Sequence, residues 1–273
     1  MRLWNPATSQ PAGALLHASA QNGVTGVAFS PAATLLASGD GDGTVRLWNP
    51  VTGRPADAPI HASARNGVSA VAFSPAGTLL ASGDGDGTVR LWNPVNGLAA
   101  GALLHASAEN GVSAVAFSPA GTLLASASGD GTVRLWNLAT RRPVAAPIHA
   151  STRNGVRAVA FSPDGKLLAS ASGDGTVRLW NLATGRPVGA PIHVGSAYLG
   201  GVFGMAFSPD GKLLASASGD GTVRLWNLAT RRPIGAPLRV GSGPDHGRLV
   251  AVFSPGGALI ASCRSASPTV ARP

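Results

Sequence analysis

The sequence predicts an all-β fold assembled from copies of one four-stranded antiparallel sheet. Three observations carry that prediction. Tryptophan recurs at Trp4, Trp48, Trp92, Trp136, Trp180 and Trp226, in steps of 44 residues four times and then 46. The triplet Phe-Ser-Pro keeps the same phase, beginning at Phe29, Phe73, Phe117, Phe161, Phe207 and Phe253. The 273 residues include 37 glycines and 21 prolines against 5% aromatics, a mix that suits short strands and tight turns better than long helices. A fixed period of this length marks a stacked or circular array rather than unrelated domains.

Residues 156–193 serve as the model unit. VRAVAF (156–161) is β-prone and mostly apolar, as suits a strand covered on both faces. Ser162-Pro163-Asp164-Gly165 forms a type I turn, with proline presetting φ at the second place and glycine at the fourth. KLLASAS (166–172) is the second strand, Gly173-Asp174-Gly175 the next turn, and TVRLWN (176–181) the third strand. LATGRP turns the chain again, and VGAPIH (188–193) is a short fourth strand whose Pro191 marks an edge. Both faces of such a sheet need cover. Radial repetition supplies it and leaves only short edges exposed.

The recurring stretch AFSPDGKLLASASGDGTVRLWN resembles the WD-repeat family. Five complete copies and two half copies extend the resemblance over essentially the whole chain, short of the last ten or so residues. It implies a β-propeller acting as a non-catalytic scaffold for protein partners, as in the interaction part of a larger signalling or regulatory protein. It also implies a structural network in each copy. Its members here are the turn aspartates Asp42, Asp86, Asp130, Asp174 and Asp220, the second-strand serines Ser38, Ser82, Ser126, Ser170 and Ser216, and the tryptophans named above. Two departures stand out. The terminal Trp-Asp of the family is Trp-Asn here, as in Trp48-Asn49. The recurring His17, His61, His105, His149 and His193 sit about two residues earlier than the family's Gly-His pair.

The half copies explain why the chain begins with RLWNP, elsewhere the end of a unit. First-and-second-strand pairs start at Val24, Val68, Val112, Val156, Val202 and Leu249, and third-and-fourth-strand pairs at Arg2, Val45, Val89, Val133, Val177 and Val223. The last front half (249–263) lacks a good back half, and the first back half (1–17) lacks a front. The expectation is a six-bladed β-propeller spanning 1–263, in which the N-terminal strands complete the C-terminal blade, with 264–273 an irregular tail. Closure would bury the open apolar faces, each large side chain contributing roughly 1.5–3 kcal/mol. A monomer is expected. The alternatives are exchange of strands between copies, since near-identical repeats can substitute for one another, and a piece of a seven-bladed parent.

Catalysis finds little support. Histidines that recur with the architecture belong to it, and His246 beside Asp245 stands in a loop without a nucleophile elbow. Asp40/Asp42 and Asp84/Asp86 alternate as in a calcium loop but lack the later aspartate and the distant glutamate. The glycine-rich turns open no helix and so cradle no phosphate. The reading is therefore no enzyme, no cofactor and no metal. The lone Cys263 excludes an internal disulfide, and no apolar run approaches the roughly 20 residues of a membrane helix. The expected location is cytoplasmic, with no membrane partner.

The net charge of +9 is polarised. Antiparallel strands put the acidic turns and the histidine connectors at one end. The turns carrying Arg54, Arg141, Arg142, Lys166, Arg186, Lys212, Arg231 and Arg232 lie at the other. That basic end raises an alternative, binding of anions or nucleic acid. No aromatics interleave to stack bases, and nucleic acid is not the expected partner. The third-strand Arg2, Arg46, Arg90, Arg134, Arg178 and Arg224 are read as side-facing residues whose stems cover a neighbouring sheet. Candidate protein contacts are Arg65, Arg153 and Arg157 at the acidic end and Arg141, Arg142, Arg231 and Arg232 at the basic end. Tyr198, the single tyrosine, joins them in HVGSAYLGGVF, a connector two residues longer than its counterparts.

Overall fold

A computed structural model describes all residues except 6–7, 9, 13–14, 19–22, 64–65, 108–109, 152–153, 196–200, 241–249, 255–256, 263–268 and 272–273. Among the described residues there are strands and turns and no helix. The chain divides into two compact units, Met1–Asn5 with Gln10–Pro147, and Pro6–Ser9 with Ile148–Pro273.

The first unit opens with a hairpin of β1 (Trp4–Asn5) and β2 (Gln10–Pro11). Three four-stranded antiparallel sheets follow. The first holds β3 (Val24–Phe29), β4 (Leu36–Asp40), β5 (Thr44–Trp48) and β6 (Ile60–His61). The second holds β7 (Val68–Phe73), β8 (Leu80–Asp84), β9 (Thr88–Trp92) and β10 (Leu104–His105). The third holds β11 (Val112–Phe117), β12 (Leu123–Ser128), β13 (Thr132–Asn137) and β14 (Arg142–Pro143).

The second unit begins with β15 (Ile148–His149). Its first sheet, the fourth of the chain, holds β16 (Val156–Phe161), β17 (Leu167–Ser172), β18 (Thr176–Asn181) and β19 (Ile192–His193). The fifth holds β20 (Val202–Phe207), β21 (Leu213–Ser218), β22 (Thr222–Asn227) and β23 (Pro233–Arg239). A last sheet of three strands holds β24 (Val250–Phe253), β25 (Leu259–Ser262) and β26 (Thr269–Ala271). Five four-stranded antiparallel sheets of one design are the parts from which a β-propeller is built.

Local chemistry sets these strands where the repeat predicts them. Gly165 donates its N–H to Ser162 O at 2.9 Å and Ser162 donates to Leu167 O at 2.9 Å, closing the turn between β16 and β17. Gly165 stands at φ 68°, a left-handed conformation that favours glycine. Its counterpart in the first sheet is Ala33, at φ 53°. The second strand of each four-stranded sheet is the most enclosed. Leu168, Ala169, Ser170 and Ala171 are all 0% exposed, because apolar neighbours cover both faces.

Sheets pack face to face within each unit. In the first, Val45, Leu47 and Ile60 of one sheet meet Val68, Leu80 and Trp92 of the next, and Val89, Leu91 and Leu104 repeat the contact with Val112, Leu124 and Trp136. In the second, Val177, Leu179 and Ile192 meet Val202, Leu214 and Trp226. Leu16, with Met1 and Leu3, covers Leu36 and Trp48 of the first sheet, as a third-and-fourth-strand half is expected to do.

Two features depart from the sequence reading. The free edge of β25 pairs with β26, Ala261 facing Thr269, while β1 pairs with β2. The third strand of the last sheet thus comes from the segment 264–273, expected to be irregular, and not from residues 1–17. The reason is loop closure. Thr269 follows Ser262 closely in sequence, and a short loop is the least costly to close. In the first, second and fourth sheets the fourth strand is also shorter than the predicted six residues, whereas β23 of the fifth sheet runs to seven. β6, β10 and β19 are two residues each, with a single bridge such as Trp180 to Pro187 marking the rest of the edge.

Candidate interaction surface

The recurrent tryptophans and serines meet inside the sheets. The indole Nε1 donates to serine Oγ from Trp48 to Ser38, Trp92 to Ser82 and Trp136 to Ser126 at 3.0 Å, from Trp180 to Ser170 at 2.9 Å, and from Trp226 to Ser216 at 2.8 Å. Each pair is buried. The hydroxyl is the partner that lets a buried indole keep its N–H satisfied. Trp4 is half-buried at the N-terminal hairpin.

The turn aspartates bond elsewhere. Asp42 Oδ1 accepts from the Thr44 N–H at 3.0 Å and the Thr44 hydroxyl at 2.6 Å, while Oδ2 accepts from Arg46 at 3.0 Å. Asp86, Asp130, Asp174 and Asp220 repeat the arrangement with Thr88 and Arg90, Thr132 and Arg134, Thr176 and Arg178, and Thr222 and Arg224. Burial alone would push the carboxyls of Asp42, Asp86, Asp130 and Asp220 up, but the threonine and arginine donors outweigh it and lower them, Asp42 to about 2. The third-strand arginines therefore neutralise their own turns. The signal was present in D-x-T-x-R, because alternate residues of a strand share one face. The histidines His17, His61, His105, His149 and His193 are exposed and lie outside this network.

The first two sheets carry an additional carboxylate. Asp40 and Asp84 occupy the place of Ser128, Ser172 and Ser218 in later sheets, with side chains 0% exposed. Each meets Arg46 or Arg90 through Oδ2, and in each Oδ1 has no hydrogen-bond partner. Burial pushes the Asp84 carboxyl up to about 7 against the pull of Arg90, and it raises Asp40 as well.

At the basic turns the candidate residues separate. Arg142 and Arg232 are exposed. Arg141 and Arg231 stand at φ 58° and 55°, where other repeats have glycine, and their guanidinium groups lie against Gly101 and Gly189. Exposed apolar side chains accompany the basic ones in the first unit: Val51 is 85% exposed, Val95 82% and Leu98 65%. Lys166 and Lys212 pair with Asp164 and Asp210 at 3.9 and 3.8 Å, in exposed bridges that contribute little. Arg157 at the opposite end stacks 4.4 Å from the centre of the Phe203 ring, so its charge is engaged within its own unit. Arg65, Arg153 and Tyr198 lie outside the described residues, as do Asp245, His246 and Cys263.

Among the described residues no three or more His, Cys, Asp or Glu side chains gather as metal ligands would. A recess of about 160 Å³ beside Trp226 is lined by Arg224, Pro233, Ile234 and Pro237, and a second of about 400 Å³ by Asp220, Thr222, Arg224, Pro237 and Arg239. No helix is long and apolar enough to cross a membrane. No curated protein matches the chain. A family model does: the WD domain, G-beta repeat, matches at residues 13–49, 59–93, 102–137, 146–181 and 189–227. Those five consecutive matches span well over half the sequence, and with the Trp–Ser pairs and the four-stranded sheets they place the chain in the WD-repeat family.

Proposed function

We propose that the chain is a non-catalytic scaffold that holds a protein partner on the turns joining third to fourth strands. WD repeats are in general protein-interaction scaffolds. The observation that carries the reading is the row of exposed apolar side chains at the first two of those turns, with exposed arginines at the first and third, Arg54 and Arg142. Val51 and Arg54 share one turn of the first sheet, and Val95 and Leu98 share the equivalent turn of the second. Isolated exposed apolar residues are ordinary, but the same place on two adjacent repeats is a patch. Apolar anchors beside arginines suit a partner with apolar and acidic side chains. Elsewhere each of these turn aspartates is matched by an arginine of its own repeat.

The test is affinity capture from source cells with the parent chain and with Val51→Asp/Val95→Asp. A protein retained by the parent and lost from the variant supports the reading. Capture of nucleic acid, released steeply as salt rises, would favour the basic turns as an anion site instead.

A further inference from the structure

The fourth strand of the fifth sheet differs from its counterparts in length and at one side chain. β6, β10 and β19 are two residues each, and each ends in an exposed histidine opposite a threonine of the third strand: His61 with Thr44, His105 with Thr88, His193 with Thr176. β23 runs for seven residues, and Arg239 takes the histidine's place opposite Thr222. Residues directly opposed across an antiparallel pair share a face, and so do alternate residues of one strand. Arg239, Thr222 and Arg224 therefore stand on one face, with Asp220 in the turn before them. That face lies opposite Val223, which packs with Ala251 and Leu259 of the last sheet. Together with Pro237 these side chains line the recess of about 400 Å³, within the roughly 300–1,000 Å³ of small-ligand sites.

We infer that this recess binds a carboxylate, held by the guanidinium of Arg239. The charges that line it do not cancel. Asp220 accepts from Arg224 at 2.9 Å and from the Thr222 hydroxyl at 2.6 Å, and that hydroxyl accepts from Arg224 at 2.6 Å. These three engage one another. Arg239 is exposed, and among the described residues it has no ion pair. Two arginines against one aspartate leave a single positive charge, whereas a neutral histidine in that place leaves none. A guanidinium presents its N–H donors as a planar fork that meets a carboxylate through two parallel bonds. Pairing of β23 with β22 at both of its ends places Arg239 on a strand rather than a loop, which fixes its stem. The carboxylate of Asp220 sets the class of ligand. A singly charged, planar carboxylate balances the recess, but a phosphate dianion would bring its second charge against Asp220.

NMR titration of the nitrogen-labelled full chain at low salt tests this, with propionate and a blocked glutamate tripeptide as probes. Both carry the same carboxylate. The parent is expected to bind them with saturating shifts at Thr222 and Arg239. Arg239→His installs the residue of the other repeats, and circular dichroism checks that it folds. It should weaken binding about tenfold at about pH 8, and regain part of the loss below about pH 6, where the imidazole becomes charged. Lys212→Gln removes the same charge at the opposite end of the sheet and should bind as the parent does. Tighter binding of the tripeptide than of propionate supports the site with an acidic protein side chain as its ligand, and equal binding supports it with a free carboxylic acid. The inference is overturned by a parent without saturating shifts, or by an Arg239→His variant that binds as tightly as the parent at the higher pH. It is equally overturned if Lys212→Gln loses as much as Arg239→His, or if inorganic phosphate binds more tightly than either carboxylate.

Discussion

Replacing Asp84 by serine, the residue at that place in the third, fourth and fifth sheets, is expected to stabilise the protein increasingly as pH rises. The side chain of Asp84 is fully enclosed, and its Oδ1 has no partner. Its carboxyl is pushed up by burial to about 7, whereas an unfolded chain holds an aspartate near 4. The folded state therefore binds this proton more tightly than the unfolded state. The resulting stabilisation is fully present below about pH 4 and is lost as pH rises through 7. Integrated between pH 5 and pH 8, the loss is about 2–3 kcal/mol. Truncating one partner of a buried ion pair is ordinarily damaging because it strands the other charge. Here Arg90 keeps Asp86 at 3.0 Å and the Thr88 hydroxyl at 2.7 Å, the same partners that its counterparts in later sheets rely on. The incoming hydroxyl also has a precedent, since Ser172 donates to Ala150 O at 3.3 Å. Urea denaturation of parent and Asp84→Ser at both pH values, followed by tryptophan fluorescence, measures the gap between them. That gap should widen by about 2–3 kcal/mol from pH 5 to pH 8. A constant gap, or a variant weaker than the parent at pH 8, would show that Asp84 stays ionised and satisfied and refute the argument.

The turn aspartates titrate with the opposite sign. Asp42, lowered to about 2, adds stability above pH 4 that disappears as pH falls toward 2, so Asp42→Ala should lose about 1–2 kcal/mol at pH 7 and far less near pH 2 in the same assay. Ala33→Gly relieves a left-handed alanine at φ 53° and should raise stability by about 0.5–1 kcal/mol, seen as a higher urea midpoint with unchanged slope. Ser126→Ala leaves the Trp136 indole N–H buried without its acceptor and should cost about 1–3 kcal/mol, while Ser162→Ala, at a turn that the Ser162–Leu167 and Gly165–Ser162 backbone bonds also hold, should cost less.

The interior of this protein was legible because every repeat solves the same local problem. Ser162-Pro163-Asp164-Gly165 turns the chain by its own dihedral preferences, and Val202, Leu214 and Trp226 are buried by neighbours of identical pattern. The Trp–Ser pairs followed from the resemblance. The Asp–Thr–Arg bonds did not, because the arginines were read as packing stems, although two-residue spacing already placed Asp42, Thr44 and Arg46 on one face. The ends were not legible for the reason that made the middle easy. An edge strand such as β25 offers backbone groups to any extended segment, and backbone pairing does not distinguish Arg2-Leu3-Trp4 from Thr269-Val270-Ala271. The tail does carry the β-branched pair Thr269-Val270, which is strand-prone on its own. What could have separated the candidates is the outward row of the last sheet. Valine at 250 and 252 replaces the alanine or glycine of the other repeats, at places where a Cβ added to Gly26 would stand only 3.1 Å from Ala70 Cα. Identity between repeats specifies how sheets stack. Only positions where the repeats differ, such as Val250 and Val252, can depart from that stacking.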